Sequence, residues 1–173
     1  MPNGRIFFSD IQSPLGMMIA GATDLGVCFL EWHDRGGVDR IKQRVEKRYK
    51  RQLVQGNNLH LDKLGQELEN YFNGQLNNFS VPIDVSGTQF EMAVWKLLVK
   101  IPYGDTRSYS WIARQLGRPG ALRAVGTANG ANYLSIVIPC HRVIRADGSL
   151  GGYGGKIWRK KWLLELEEKH RLE

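Results

Sequence analysis

The chain has 173 residues, 42% hydrophobic and 24% charged, enough for a packed core in one large domain or two small ones. No apolar run approaches the roughly 20 residues of a membrane span, no basic start followed by a long apolar segment suggests a secretion signal, and two cysteines make no disulfide framework, so the expected setting is a reducing, cytoplasmic one in which thiols stay free. Residues 1–86 carry ten of the 24 basic and ten of the 17 acidic residues, so the whole formal excess of +7 falls in the C-terminal half, where it serves either solubility or a polyanionic partner such as nucleic acid.

The run "RIFFSDIQSPLGMMIAGATDLGVCFLEW" predicts three short strands with turns near Ser13-Pro14 and Asp24-Leu25-Gly26. "VDRIKQRVEKRYK" predicts a charged helix with Val38, Ile41, Val45 and Tyr49 along one side, and "LDKLGQELENYFNG" a second helix that stops at Asn73-Gly74. "FSVPID" returns as a strand or an extended linker. This half reads as a small α/β domain, residues 1–85, with a structural role.

Composition shifts at about residue 86. In "VSGTQFEMAVWKLL", Thr88 and Glu91 have capping-box spacing, and Phe90, Val94, Leu97 and Leu98 form an apolar stripe that Pro102 and Gly104 end. Residues 106–130 read as a helix-turn-helix. Tyr109, Ile112, Ala113 and Leu116 repeat at helical spacing, Gly117 supplies a stop, and Pro119 suits the first turn of the next helix. In that helix Ala121, Ala124, Val125 and Ala128 form the inner stripe, while Arg123 points outward with Gly126, Thr127 and Gly130 on its face. A face of small residues with one protruding arginine can approach a nucleic-acid backbone closely, although many ordinary helix pairs look the same. Residues 86–173 thus read as a mainly helical domain, and the whole chain as α/β in the α+β sense.

"YLSIVIPC" is apolar and extended in character, and it leads into "IPCHRVI". A thiol attacks as its thiolate, and a neighbouring imidazole, directly or through a water, can take the proton. His141 follows Cys140, but neighbouring strand side chains face opposite ways, so contact needs a turn or a bridging water. "IWRKKWLLELEEKHRLE" predicts a closing helix with Trp158, Trp162 and Leu166 on its apolar side and Glu167 flanking it near Leu163. A carboxylate–imidazole–thiol relay is therefore available from Glu167, His141 and Cys140. Cys28, in a hydrophobic strand, reads as a small core residue. The spacings of the cysteines and histidines match no common zinc motif, so no metal is expected.

"IPCHRVI", with "GTQFEMAVWKLLVKIPYGDTRSYSWIA" and "RAVGTANGANYLSIV" before it and "DGSLGGYGGKIWRKKWLL" after it, resembles the O6-alkylguanine-DNA alkyltransferases, also called methylated-DNA–protein-cysteine methyltransferases. The resemblance runs without a gap from about residue 86 to residue 167 and matches the N-terminal half only in strand-rich outline and length. It implies single-turnover, direct reversal of damage in double-stranded DNA bearing O6-alkylguanine, by a monomer that needs no cofactor. Cys140 would attack the alkyl carbon and keep the group. His141 would be a water-mediated base held by Glu167, and Asn132 would fix the segment carrying the thiol. Tyr109 would hydrogen-bond the leaving guanine and press on the phosphate backbone. Arg123 would fill the gap left by the flipped base, with Gly126, Thr127 and Gly130 lying against the DNA. Tyr153, Gly154 and Trp95 would line the pocket.

The chemistry agrees where it reaches. The target carbon lies inside a base stack, so the nucleotide must be extruded. Expelled guanine is a poor leaving group without a hydrogen bond, which a tyrosine hydroxyl supplies. The resemblance departs at Gly154, where family members often carry serine; a hydroxyl contact is lost, backbone N–H donors remain, and a wider pocket is expected. Only Cys28, His33 and His60 could replace the zinc ligands that some members carry in the N-terminal domain. Two other readings stay open on the residues alone: a DNA-binding module without chemistry, indifferent to loss of the thiol, and a cysteine hydrolase, which would turn over an ester or amide and needs an oxyanion hole.

Overall fold

The computed structural model describes residues 4–171, and the chain divides into one unit ending at Ser86 and another beginning at Gly87. In the first unit, strands β1 (Ile6–Ser13), β2 (Gly16–Ala22) and β3 (Val27–Trp32) form an antiparallel meander. Ser13 builds the first turn: its hydroxyl donates to the Gly16 carbonyl at 2.6 Å and accepts from the Leu15 N–H at 3.1 Å. Helix α1 (Val38–Tyr49) turns Ile41 and Val45 inward. Strand β4 (Leu53–Gln55) then joins β1 in parallel, giving the order β3-β2-β1-β4. That strand is absent from the sequence reading because three partly exposed residues carry no period to detect. Helix α2 (Leu59–Phe72) begins where the Asn58 side chain accepts from the Leu61 N–H at 3.0 Å. The returning segment is extended, with Ile83 bridging Val27. Cys28 is fully buried, and burial, with the Asp84 charge, pushes its thiol up to about 12, so it packs as a hydrophobe.

The second unit begins with α3 (Gln89–Val99). Both capping-box bonds are made, Glu91 N–H to the Thr88 hydroxyl and Thr88 N–H to the Glu91 carboxylate, each 3.1 Å. Strand β5 (Arg107–Ser108) runs directly into helix α4 (Tyr109–Gln115), and helix α5 (Leu122–Gly130) follows a turn. A short 3-10 turn (Cys140–Arg142) leads into β6 (Val143–Ile144), and helix α6 (Ile157–His170) closes the unit. The two-residue strands β5 and β6 pair in parallel. This brings the start of α4, at Tyr109, beside the turn that holds Cys140.

Four local expectations fail, each for a physical reason. Residues 133–140 are no strand. Asn132 folds them over itself, its amide donating to the Ile138 carbonyl at 2.8 Å and its oxygen accepting from the Leu134 N–H at 3.0 Å, and Ile136 sits at φ 70, where a β-branched residue is held only by its surroundings. Pro119 lies before α5 rather than in its first turn, because Arg118 and Ala121 close a turn of their own through a 2.9 Å backbone bond. The inner face of α5 consists of Val125, Ala128 and Asn129, with Ala124 exposed. The buried face of α6 is Arg159, Lys160, Leu163 and Glu167, while Trp158 is half exposed. Hydropathy assigns that face to the aromatic side, but each of its polar groups has partners inside.

Candidate active site

The 3-10 turn answers the problem of two adjacent side chains that must cooperate. It buries both Cys140 and His141 and directs the imidazole toward α6. There His141 Nε2 lies 2.7 Å from Glu167 Oε1. Arg142, next in the turn, grips the same carboxylate through Nε at 2.8 Å and Nη2 at 3.0 Å, and donates a third bond to the Ile101 carbonyl at 2.7 Å. The Gly104 N–H adds a longer bond of 3.3 Å. Burial alone would raise Glu167, but His141 and the forked Arg142 outweigh it and hold the carboxyl well below its usual range.

That ionised carboxylate fixes the imidazole tautomer. A carboxylate only accepts, so Nε2 must donate, and in the neutral ring Nδ1 is then the acceptor. Burial lowers the His141 pKa, the attraction of Glu167 opposes the shift, and Arg142 and Lys160 reinforce it, so the ring is neutral at neutral pH. Its Nδ1 is buried and meets no protein partner among the described residues. The turn therefore presents a free base nitrogen beside a buried thiol.

Two further elements converge. Tyr109, the first residue of α4, is half-buried. Burial and then the charge of Cys140 raise its hydroxyl, against the pull of Arg145, so it remains a proton donor. Gly151 at φ 71 lets the loop pass this ring: a Cβ there would lie 3.3 Å from the Tyr109 hydroxyl. Lys160 on α6 is fully buried and donates to three carbonyls, Val143 at 2.6 Å, Leu150 at 2.5 Å and Gly152 at 3.2 Å. Its ammonium thus holds the loop before Tyr153 onto the strand after the thiol. Burial brings it down to about 8, a shift that Cys140 opposes and Arg145 assists.

Of the residues singled out from sequence, Cys140, His141, Glu167 and Tyr109 come together, and Asn132 clamps the segment before the thiol. Arg123, Thr127 and Gly130 are exposed on one side of α5, with Gly126 half-buried among them. Tyr153 is half-buried and Gly154 exposed on the loop. Trp95 is buried between α3 and α5, its indole N–H donating to the Ala128 carbonyl at 2.9 Å and its ring meeting Tyr133 edge-on. Sequence reasoning missed Arg142, Lys160 and Asn129. The first two read as part of a solvated basic surface; Lys160 could have been marked only by its position three residues before Leu163 on the buried face of α6, and Arg142, in the turn, by no periodicity at all.

Fold and site together define an α+β protein with a buried thiol–imidazole–carboxylate constellation beside an exposed helix bearing Arg123. The family described as 6-O-methylguanine DNA methyltransferase, DNA binding domain, matches residues 89–169, and the one described as 6-O-methylguanine DNA methyltransferase, ribonuclease-like domain, matches residues 6–85. A methylated-DNA–protein-cysteine methyltransferase of Methanosarcina barkeri is 38% identical over 94% of this chain and 98% of its own length. The Mycobacterium tuberculosis protein of the same name is 59% identical over 59% of this chain; that alignment spans 62% of the relative. A crystal structure of the Mycobacterium tuberculosis OGT protein in complex with DNA is 41% identical, with a TM-score of 0.81 over 95% of this chain and 94% of that one. The chain belongs to the methylated-DNA–protein-cysteine methyltransferase family.

Proposed function

We propose that this protein repairs DNA by moving an alkyl group from O6 of guanine, and in the same way from O4 of thymine, irreversibly onto Cys140. The observation that carries the reading is the forced tautomer of His141, which leaves a neutral base nitrogen beside a buried thiol. His141 takes the thiol proton through a water, the sulfur attacks the alkyl carbon, and the carbon–O6 bond breaks. The electron pair leaves on guanine, to which the Tyr109 hydroxyl donates a hydrogen bond. The product is a thioether, so the protein itself is the acceptor and each molecule acts once. No cofactor takes part.

The substrate is reached by extruding the nucleotide, at a cost of a few kcal/mol. Arg123 stands in the vacated space, Thr127, Gly126 and Gly130 lie along the backbone, and the basic excess of the C-terminal half attracts phosphate without regard to sequence. Tyr153 and Gly154 are assigned to the pocket lining; Trp95, expected there from the resemblance, is instead buried with its indole N–H on the Ala128 carbonyl. The free thiols suit a reducing cytoplasm. Mixing the protein with an oligonucleotide containing O6-methylguanine and weighing it tests the whole reading. One added methyl group on the peptide bearing Cys140 is expected, and Cys140→Ser should gain none; a methylated serine variant, or catalytic turnover of an ester by the wild type, would overturn it.

A further inference from the structure

Helix α5 ends in a second buried amide for which the thiol relay above has no use. Asn129 is 6% exposed, and its Nδ2 donates to the Cys140 carbonyl at 3.4 Å. Its Oδ1 is buried and has no partner among the described residues. The other buried polar atom at this turn in the same condition is His141 Nδ1. One belongs to the side chain that holds the Cys140 carbonyl and the other to the residue next to Cys140 in the same turn, so both belong to the immediate surroundings of that turn.

Both atoms are acceptors. Asn129 Oδ1 is a carbonyl oxygen, and His141 Nδ1 carries a lone pair because Nε2 donates to Glu167. Two acceptors cannot satisfy each other, and leaving either bare costs about 1–3 kcal/mol. A single group with two protons satisfies both, and buried water fills such positions when two or more polar partners converge. A water donating to both acceptors turns a lone pair outward, where it can accept the proton of a thiol.

We propose that Asn129 is a positioning residue for the thiol, its Oδ1 and His141 Nδ1 gripping from two sides the one water that takes the Cys140 proton. The inference rests on the relay that the proposed repair reaction uses. The thiol S–H bond breaks, its proton passes to the water oxygen, and a water proton passes to Nδ1. The sulfur keeps the electron pair, and Glu167 holds the imidazolium. The amide group also fixes direction: with Oδ1 occupied, the water has one proton left to give, and it points at His141. The charged groups facing this pair are Glu167 and Lys160 from α6, Arg142 in the turn and Arg145 beyond it, with the Tyr109 hydroxyl from α4. The buried side chains of α3 and α5 carry no charge.

The test uses Asn129→Leu, which keeps volume and removes both polar atoms. Thiolate formation is read from the pH dependence of Cys140 alkylation by iodoacetamide, a probe that reports on the thiol whether or not alkylguanine is a substrate. The midpoint should move upward by about one unit, and transfer from free O6-benzylguanine at neutral pH should slow about ten- to hundredfold, with binding to undamaged duplex unchanged. A residue that merely supports the fold would lower the unfolding midpoint and leave the pH profile of the folded protein in place, which would overturn the proposal. A double-mutant cycle with His141→Gln separates the remaining case: losses through one shared water fall short of additive, and additive losses refute it. Loss of Asn129 that matters with O6-benzylguanine but vanishes with the analogue lacking the 2-amino group would assign Oδ1 to the base instead and would equally refute it. If the leucine variant does not fold, a high-resolution crystal structure of the wild type decides, by an ordered water within hydrogen-bond reach of both atoms or its absence. Failure of the wild type to take a methyl group from DNA would remove the repair reading while leaving the iodoacetamide result standing.

Discussion

Glu167 shows how one buried charge is kept affordable. Four hydrogen bonds converge on its carboxylate, one from His141 and two from the Arg142 fork, and together they hold it ionised against burial. Glu167→Gln should therefore have two separable effects. It strands the Arg142 guanidinium in the interior, and breaking a buried pair costs about 3–5 kcal/mol, readable in chemical denaturation. It also removes the anion that stabilises the imidazolium, so alkylation of Cys140 by free O6-benzylguanine should slow even in the fraction that remains folded. Unchanged stability would mean that Arg142 finds another acceptor. Cys140, His141 and Glu167 were legible in the sequence because a thiol, an imidazole and a carboxylate are chemically marked. Arg142 was not, since nothing in an arginine within a basic half distinguishes a buried fork from a solvated one.

At the scale of elements, the part read well was the part set by local rules. The capping box at Thr88 and the turn at Ser13 follow from side chains bonding their own neighbours, and the stop at Asn73 from Gly74 taking φ 73 directly after it. Hydropathy misled at the segment 133–140, which one polar side chain, Asn132, folds over itself, and at the buried face of α6, whose partners lie in other segments. Lys160 is the clearest instance: its three carbonyl acceptors lie on residues 143, 150 and 152. Lys160→Met should release that loop, seen as faster amide exchange at 150–155, and slow transfer from both the free base and duplex DNA, because Tyr153 and the strand after the thiol lose their common anchor. Normal exchange with lost activity would instead point to a direct contact with substrate. Helix α5 gives the opposite pattern. Arg123 is exposed on the outer side of α5, so Arg123→Ala should spare the reaction with O6-benzylguanine and slow repair in duplex by roughly one to three powers of ten. Each lost 1.4 kcal/mol of compensation for the extruded base is roughly a factor of ten. Equal slowing of both substrates would remove Arg123 from the role of finger.

Across the whole molecule, the two halves respond to different variables. The C-terminal half carries the charge excess, while the first unit is formally neutral and has a buried acid of its own. Glu31 on β3 is 1% exposed and receives two bonds from Arg35, at 2.8 and 3.1 Å. Burial raises its carboxyl from 4.5 to about 7, against the pull of Arg35 and Arg44. The folded state thus holds this proton more tightly than the unfolded one. Below about pH 4.5 both states are protonated and the residue adds no pH dependence. Between 4.5 and about 7 the unfolded chain releases the proton first, so stability falls as pH rises, and above 7 the full penalty is present. The shift corresponds to an order of magnitude of 3 kcal/mol. Denaturant unfolding followed through Trp32, at the end of the same strand, should give a higher midpoint at pH 5 than at pH 8. In Glu31→Gln that difference should flatten, since the amide does not titrate. A midpoint that rises with pH over this range in the wild type would mean that Arg35 and Arg44 outweigh burial, and that Glu31 is an ion pair at every working pH.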